Sequence, residues 1–262
     1  MKAFPSLLLA IAGALAASAL HAQQAEPDGQ PPAVFPVLTD APSTLPEDKI
    51  ALMQQWLLDF PGLARYRGDN AELPATEKGR VVFYGDSITD GWGRVEGTEF
   101  FPGKPWLNRG ISGQTTAQML LRFRQDVIEL KPEAVVVLAG TNDIAGNTGP
   151  ASLDMIEDNL RSMAELARAN GIRVVLASVL PASAYPWRPG YRPAAKIRAL
   201  NEWIGRYARD NGFVYLDYYS AMANAEGGLD PELAKDGVHP TPAGYAVMAP
   251  LAQRAVQEAL GK

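Results

Sequence analysis

Short apolar runs rich in β-branched or aromatic residues recur along the chain, at 81–84 (VVFY), 134–139 (AVVVLA), 172–179 (IRVVLASV) and 213–216 (FVYL), each bounded by turn residues. Runs of this length and composition predict buried strands, and a shorter stretch ending at Leu107 adds a further one. Between them, apolar residues fall at helical spacing: Leu120, Phe123, Val127 and Leu130; then Ile156, Leu160, Met163 and Ala167; then Ile197, Leu200, Ile204 and Tyr207. These are core-facing helix stripes. Gly171 and Gly212 follow the second and third stripes, where a left-handed cap ends a helix before the next strand begins. Strand and helix in alternation predict one α/β domain of three layers, α/β/α, with a central parallel sheet of about five strands.

The two ends of this pattern are less regular. Ile50, Leu52, Met53, Trp56 and Leu57 predict a helix packed on the main body and stopped by Phe60-Pro61-Gly62. Near the C-terminus Thr241 suits an N-cap and Pro242 a first turn, but Pro250 interrupts the run to Leu260, which predicts a kink or two short helices. Upstream, residues 7–20 form an apolar run of fourteen behind Lys2. That run is a signal-peptide core, too short for a comfortable membrane span. Residues 1–22 are therefore read as a signal peptide, 23–47 as a proline-rich leader, and 48–262 as the folded domain. The expected product is exported, periplasmic or secreted, with no stable membrane anchor after processing.

Composition then narrows the chemistry. The net charge of −5 becomes −6 once the signal segment is removed, and an acidic surface gives nucleic acid no electrostatic support. With no cysteine, the chain has neither a disulfide framework nor a thiolate nucleophile. Removing His21 with the signal segment leaves His239 as the sole histidine. Transition-metal hydrolases usually rely on several His or Cys ligands, so no metal and no cofactor is expected, although an oxygen-only calcium or magnesium site stays open.

In an open parallel sheet, ligands bind beyond the carboxyl ends of the strands. Polar blocks stand there: Gly85-Asp86-Ser87-Ile88-Thr89, Asn108-Arg109-Gly110-Ile111-Ser112-Gly113, Gly140-Thr141-Asn142-Asp143 and, near the C-terminus, Asp236-Gly237-Val238-His239-Pro240. Singly, each also reads as ordinary local structure: Ser87 as a helix cap, Asn142 and Asp143 as a turn, Gly-x-His-Pro as a helix entry. Together, in this order, GDSIT, the glycine of ISG, GTND and DGVHP resemble the four blocks of the SGNH (GDSL-type) hydrolases over residues 80–245. The resemblance implies the flavodoxin-like fold of that family. It also implies Ser87 as nucleophile, His239 as general base, Asp236 as the carboxylate orienting the imidazole, and an oxyanion hole made of the Ser87 and Gly113 backbone N–H groups with the Asn142 side chain. The residue chemistry points the same way, because a serine hydroxyl needs a neighbouring base and His239 is the imidazole available. Asp86, Asp90 and Asp143 read as loop-ordering groups. An α/β-hydrolase elbow is rejected, since neither Ser87 nor Ser112 sits in G-x-S-x-G.

The segment from Pro181 to Pro193 is aromatic and stiffened by proline. Trp187 and Tyr191 could stack on a sugar or flank an acyl chain, Arg188 could meet a carboxylate or phosphate, and Trp92 invites a similar substrate-binding role; packing of these aromatics onto the domain is the alternative. The expected function is an exported ester hydrolase taking a small-molecule or carbohydrate ester, with short acyl or acetyl groups favoured. Lipase or lysophospholipase action on longer chains is the runner-up. From other classes, a catalytically silent carbohydrate-binding relative and an export-linked scaffold stay open. Oligomeric state is not legible in the sequence.

Overall fold

The computed structural model describes residues 47–234 and 236–261. The signal segment and almost all of the proline-rich leader lie outside the described residues. Five parallel strands form one sheet in the order β2-β1-β3-β4-β5: β1 (Val81–Gly85), β2 (Trp106–Gly110), β3 (Ala134–Leu138), β4 (Arg173–Ala177) and β5 (Val214–Leu216). The helices are α1 (Glu47–Asp59), α2 (Arg67–Ala71), α3 (Ser87–Gly91), α4 (Thr116–Asp126), α5 (Thr141–Ala145), α6 (Leu153–Ala169), α7 (Ala194–Asn211), α8 (Tyr219–Met222) and α9 (Pro242–Ala259).

Strand alternation splits the core in two. Val82, Tyr84, Val135, Val137, Val174 and Leu176 face α4, α6 and α7, while Val81, Phe83, Val136, Leu138, Val175 and Leu216 face α3, α8 and α9. Both faces are buried, which is why the strands read as continuous apolar runs rather than as alternating ones. The expected three-layer sheet is the one observed.

Because the chain leaves β1 toward β2 and then crosses back to β3, the strand order reverses at β1/β3. A crevice opens at such a switch point. Gly110 at the end of β2 allows α3 to sit directly on the strand, since a Cβ there would lie 2.1 Å from the Asp90 nitrogen. Both strand ends are tied from below by Arg122 of α4. Its guanidinium donates to Gly85 O (3.1 Å), Arg109 O (3.0 Å), Gln114 Oε1 (2.6 Å) and Asp126 Oδ2 (3.1 Å), and it lies 4.3 Å from the centre of the Tyr84 ring.

The structure corrects four local expectations. β2 extends through Asn108 and Arg109, which the polar residues had placed in a loop. Asn108 bonds Thr89 O, Trp92 O and the Gly110 N–H, and Arg109 bonds Asn70 and stacks over Tyr66, so their polarity is satisfied within the strand. The first stripe is not one helix: α4 ends at Asp126, and Val127 leads into a 3-10 turn over Ile128–Leu130 that keeps Val127 and Leu130 buried. α1 stops at Asp59, but it is not packed down along its apolar stripe, with Leu57 86% and Leu58 88% exposed. Finally, of the two forms expected at Pro250, a kink or two short helices, the second is not found: α9 is a single helix. Tyr245 and Met248 before the proline and Ala252, Ala255 and Val256 after it are buried in one core, and that burial offsets the one backbone bond a proline removes.

The buried Arg122–Asp126 pair generates a stability prediction. Arg122→Met leaves the Asp126 carboxylate uncompensated and frees two strand-end carbonyls, and is expected to lower unfolding free energy by about 3–5 kcal/mol. Urea denaturation measures it, and a loss under about 1 kcal/mol would mean the pair is replaceable surface-like polarity.

Candidate active site

Ser87 is the first residue of α3, two positions beyond the end of β1. Asp86 before it caps the helix, its Oδ1 accepting from the Ile88 N–H at 3.0 Å. The tight exit is imposed by crowding: a Cβ on Gly85 would lie 2.2 Å from Thr89 Oγ1 and 2.8 Å from Leu138 O.

Asp236 to His239 form a turn in which Asp236 Oδ1 accepts from the backbone N–H groups of Val238 (2.9 Å) and His239 (2.7 Å). Gly237 supplies the positive φ of 77°. The other carboxylate oxygen, Oδ2, lies 2.6 Å from His239 Nδ1, and His239 Nε2 lies 2.9 Å from Ser87 Oγ. A carboxylate only accepts, so Nδ1 carries the ring proton and the Nε2 lone pair faces the serine hydroxyl. Burial alone would raise the Asp236 pKa, but the His239 backbone and ring donors and the Val238 N–H together hold it below the usual carboxylate range. Residues 152 positions apart meet because α9 is anchored at both ends of its first turn: Thr241 accepts from the Gly244 N–H, and the Tyr245 hydroxyl donates to Ile88 O of α3 at 2.8 Å.

The three residues named from the sequence as donors line one crevice. Gly113 has φ 79° and open space where a Cβ would stand, and Asn142 is the second residue of α5, which begins just beyond β3. Among the described residues, the Ser87 and Gly113 backbone N–H groups have no intramolecular acceptor. The Asn142 amide donates to Gln114 O at 3.0 Å and reaches Asp86 Oδ2 at only 3.4 Å.

The loop-ordering carboxylates take distinct places. Asp143 accepts from the Thr116 N–H and hydroxyl at the start of α4, and burial pushes its pKa up to about 6 against those bonds. Asp90 pairs with Arg94 at 2.9 Å and accepts from the Ser112 hydroxyl. Asp86 is fully buried, and that burial pushes its pKa up to about 7 in spite of the Ile88 N–H and His239.

Ser87, Gly113, Asn142 and His239 open into a crevice of about 1270 Å³. Of the tentative substrate residues, Trp187 and Arg188 line it, but Trp92 and Tyr191 do not. Trp92 is buried among Phe83, Phe100, Phe101 and Tyr245 on the α9 side of the sheet. Tyr191 is buried and stacked on Tyr185. Each aromatic face gains more from a neighbouring ring than from solvent. Arg188 lies over Tyr191 at 4.0 Å and donates to Ile144 O and Ala145 O, so its charge closes the end of α5. The sequence reading missed the far wall, made by Met53, Trp56 and Phe60, and the polar liners Gln114 and Asn147. Helical periodicity flagged the first of these as core, and isolated amides carry no signal in a single sequence.

Asp86 supplies a pH prediction. Its pKa of about 7 in the fold against 3.8 for a free carboxyl means the folded state binds the proton more tightly, so the stabilisation is full below pH 3.8 and is lost as pH rises through 7. Asp86→Asn keeps an acceptor for Ile88 and lacks the proton. The drop in Tm from pH 5 to pH 8 is therefore expected to be smaller in the variant; equal drops would show that Asp86 ionises freely.

Comparison with known proteins identifies the family. The GDSL-like lipase/acylhydrolase family model matches residues 83–247. The esterase TesA of Pseudomonas aeruginosa is 33% identical over 135 residues, which span 51% of this chain and 60% of that one. An acetylxylan esterase of Geobacillus stearothermophilus is 26% identical over 203 residues, covering 65% of this chain and 90% of that enzyme. The crystal structure of a GDSL-like lipase from Bacteroides thetaiotaomicron superposes with a TM-score of 0.73 at 47% identity, covering 76% of this chain and 99% of the lipase. With its four motif blocks inside a family match that spans more than half its length, the chain belongs to the GDSL-like lipase/acylhydrolase (SGNH hydrolase) family of carboxylic ester hydrolases.

Proposed function

We propose that this chain is an exported serine esterase that removes short acyl groups, acetyl among them, from a carbohydrate or similar ester. The observation that carries the reading is the unbroken line from Asp236 Oδ2 through His239 to Ser87 Oγ, at 2.6 and 2.9 Å, ending in the crevice. Ser87 Oγ attacks the ester carbonyl carbon while its proton passes to His239 Nε2. The carbonyl oxygen becomes an oxyanion held by the Ser87 and Gly113 N–H groups and the Asn142 amide. Collapse breaks the bond to the alcohol oxygen, which takes the proton from His239. Water, deprotonated by the same nitrogen, then splits the acyl-serine to release the acid and restore Ser87. Asp236 keeps the productive tautomer and stabilises the imidazolium.

The polar and aromatic rim supports the carbohydrate ester. Trp187 is 43% exposed, its ring centre 6.1 Å from that of His239, where a sugar ring could lie against it. The acetylxylan esterase relative points the same way. A second reading, acyl hydrolysis of longer chains, is favoured by the apolar wall of Met53, Trp56, Phe60, Val95 and Ile111. Export rests on the apolar N-terminal run behind Lys2.

Hydrolysis of p-nitrophenyl esters from acetate to palmitate tests the proposal. Ser87→Ala and His239→Ala are expected to lower kcat/KM by about 10⁴–10⁶-fold while unfolding at the wild-type Tm, with Asp236→Asn retaining more. Preference for acetate supports deacetylation and preference for long chains the second reading. Unchanged turnover in Ser87→Ala would sink the serine mechanism.

A further inference from the structure

A line of polar side chains runs from the crevice rim to the oxyanion donor Asn142, and the reaction above makes no use of its outer member Asn147. The Trp187 indole Nε1 donates to Asn147 Oδ1 at 3.2 Å, Asn147 Nδ2 donates to Asn142 Oδ1 at 2.8 Å, and Asn142 Nδ2 donates to Gln114 O at 3.0 Å. Asn147 Nδ2 also reaches Gly113 O at 3.4 Å. A carboxamide has two ends of nearly equal shape, one donating and one accepting, and only its neighbours decide which way it points.

Here both ends of the line are one-way. An indole N–H can only donate, and a backbone carbonyl can only accept. With the indole at one end, Asn147 must present its oxygen to Trp187 and its amide to Asn142. Asn142 must then present its oxygen to Asn147 and its amide toward Gln114 O and Asp86 Oδ2. Turning either carboxamide over would set oxygen against oxygen at one contact and N–H against N–H at the other. The backbone supports this pairing, since Gly146 ends α5 with φ 74° and the Asn147 N–H returns to Asn142 O at 3.0 Å. Trp187 is steadied by stacking on the buried Tyr185, whose hydroxyl lies 2.9 Å from that of Thr141.

We propose that Asn147 is a positioning residue for the oxyanion donor Asn142, with its own direction set by Trp187, so that the 181–193 loop and the oxyanion hole are joined through one carboxamide. The proposal rests on the serine esterase reading. It assigns Trp187 a role beyond lining the crevice, and it gives a reason for asparagine, rather than any small polar residue, at 147.

Steady-state hydrolysis of p-nitrophenyl acetate by the full chain tests it. Asn142→Ala is expected to lower kcat by about 10²–10³-fold. Asn147→Ala should lower kcat by about ten- to a hundredfold with KM changed less than about twofold, and Trp187→Phe, which keeps a ring and removes the donor, should lower it by about threefold to tenfold. Asn147→Asp is nearly isosteric but sets an oxygen against Asn142 Oδ1, so it should lose at least as much as alanine. In an Asn142→Ala background, Asn147→Ala should cost less than about twofold, because nothing is left to orient. Equal losses in both backgrounds would assign Asn147 to general structure, and wild-type kcat in Asn147→Ala would dispense with it; either overturns the proposal while leaving the esterase intact. Undiminished turnover by Ser87→Ala would remove the reaction itself and overturn both.

Discussion

The site depends on a single buried guanidinium. Arg122 reaches the last carbonyl of β1, the next-to-last carbonyl of β2 and the side chain of Gln114, so one planar group sets the distance between the strand ends that release Ser87 and Gly113. Its fork of donors suits that task, because each N–H has a fixed direction and its charge is answered by Asp126 at 3.1 Å. Asp126 in turn accepts from Asn70, whose carbonyl oxygen takes the Arg109 Nε donor. A network of this kind is rigid only when every member is satisfied. It trades the packing energy an apolar cluster would give for a defined spacing above the sheet.

Above that base, the electrostatics divide by depth. Asp86 and Asp143 are buried and have raised pKa values, and both spend their oxygens on backbone donors at helix starts. Asp236 sits in the half-exposed C-terminal loop, where donors outweigh burial and its carboxyl stays ionised to a lower pH. The carboxylate that lies beside the imidazole is thus the one left near water. The buried ones hold loops in place. Charge is kept where donors and nearby water support it and avoided where burial removes that support.

The crevice is assembled from parts that are distant in the chain and unlike in chemistry. Its floor carries Ser87, Gly113, Asn142 and His239, all delivered by strand ends or the entry to α9. One side presents Trp187 and Asn147. The other, from α1 and the turn after it, presents Met53, Trp56 and Phe60. That turn is held from α4, since Gln118 and Gln125 donate to Phe60 O and Leu63 O, and Asp59 accepts from the Leu63 and Ala64 N–H groups. An apolar helix stripe that the sequence pattern assigns to the core therefore becomes a wall of the site.

The layered fold was legible in the sequence because burial on both sheet faces leaves an uninterrupted apolar run, and core-facing helices leave a 3.6-residue stripe. The motif blocks were legible because a tight strand exit and an aspartate-to-histidine turn constrain residue type locally, whatever lies around them. Asn108 and Arg109 as strand residues, the burial of Trp92 and Tyr191, the open face of α1 and the continuity of α9 through Pro250 were not legible. These are settled by contacts that the local pattern does not carry: Thr89 and Asn70 satisfy the strand polars, Phe101 and Tyr245 cover Trp92, Tyr185 covers Tyr191, and the sheet core holds α9 on both sides of its proline. Local pattern determines what a segment prefers to be. Which side chains end up facing the crevice, and which carboxamide faces which, is decided only when tertiary packing supplies the opposing donors, acceptors and apolar surfaces.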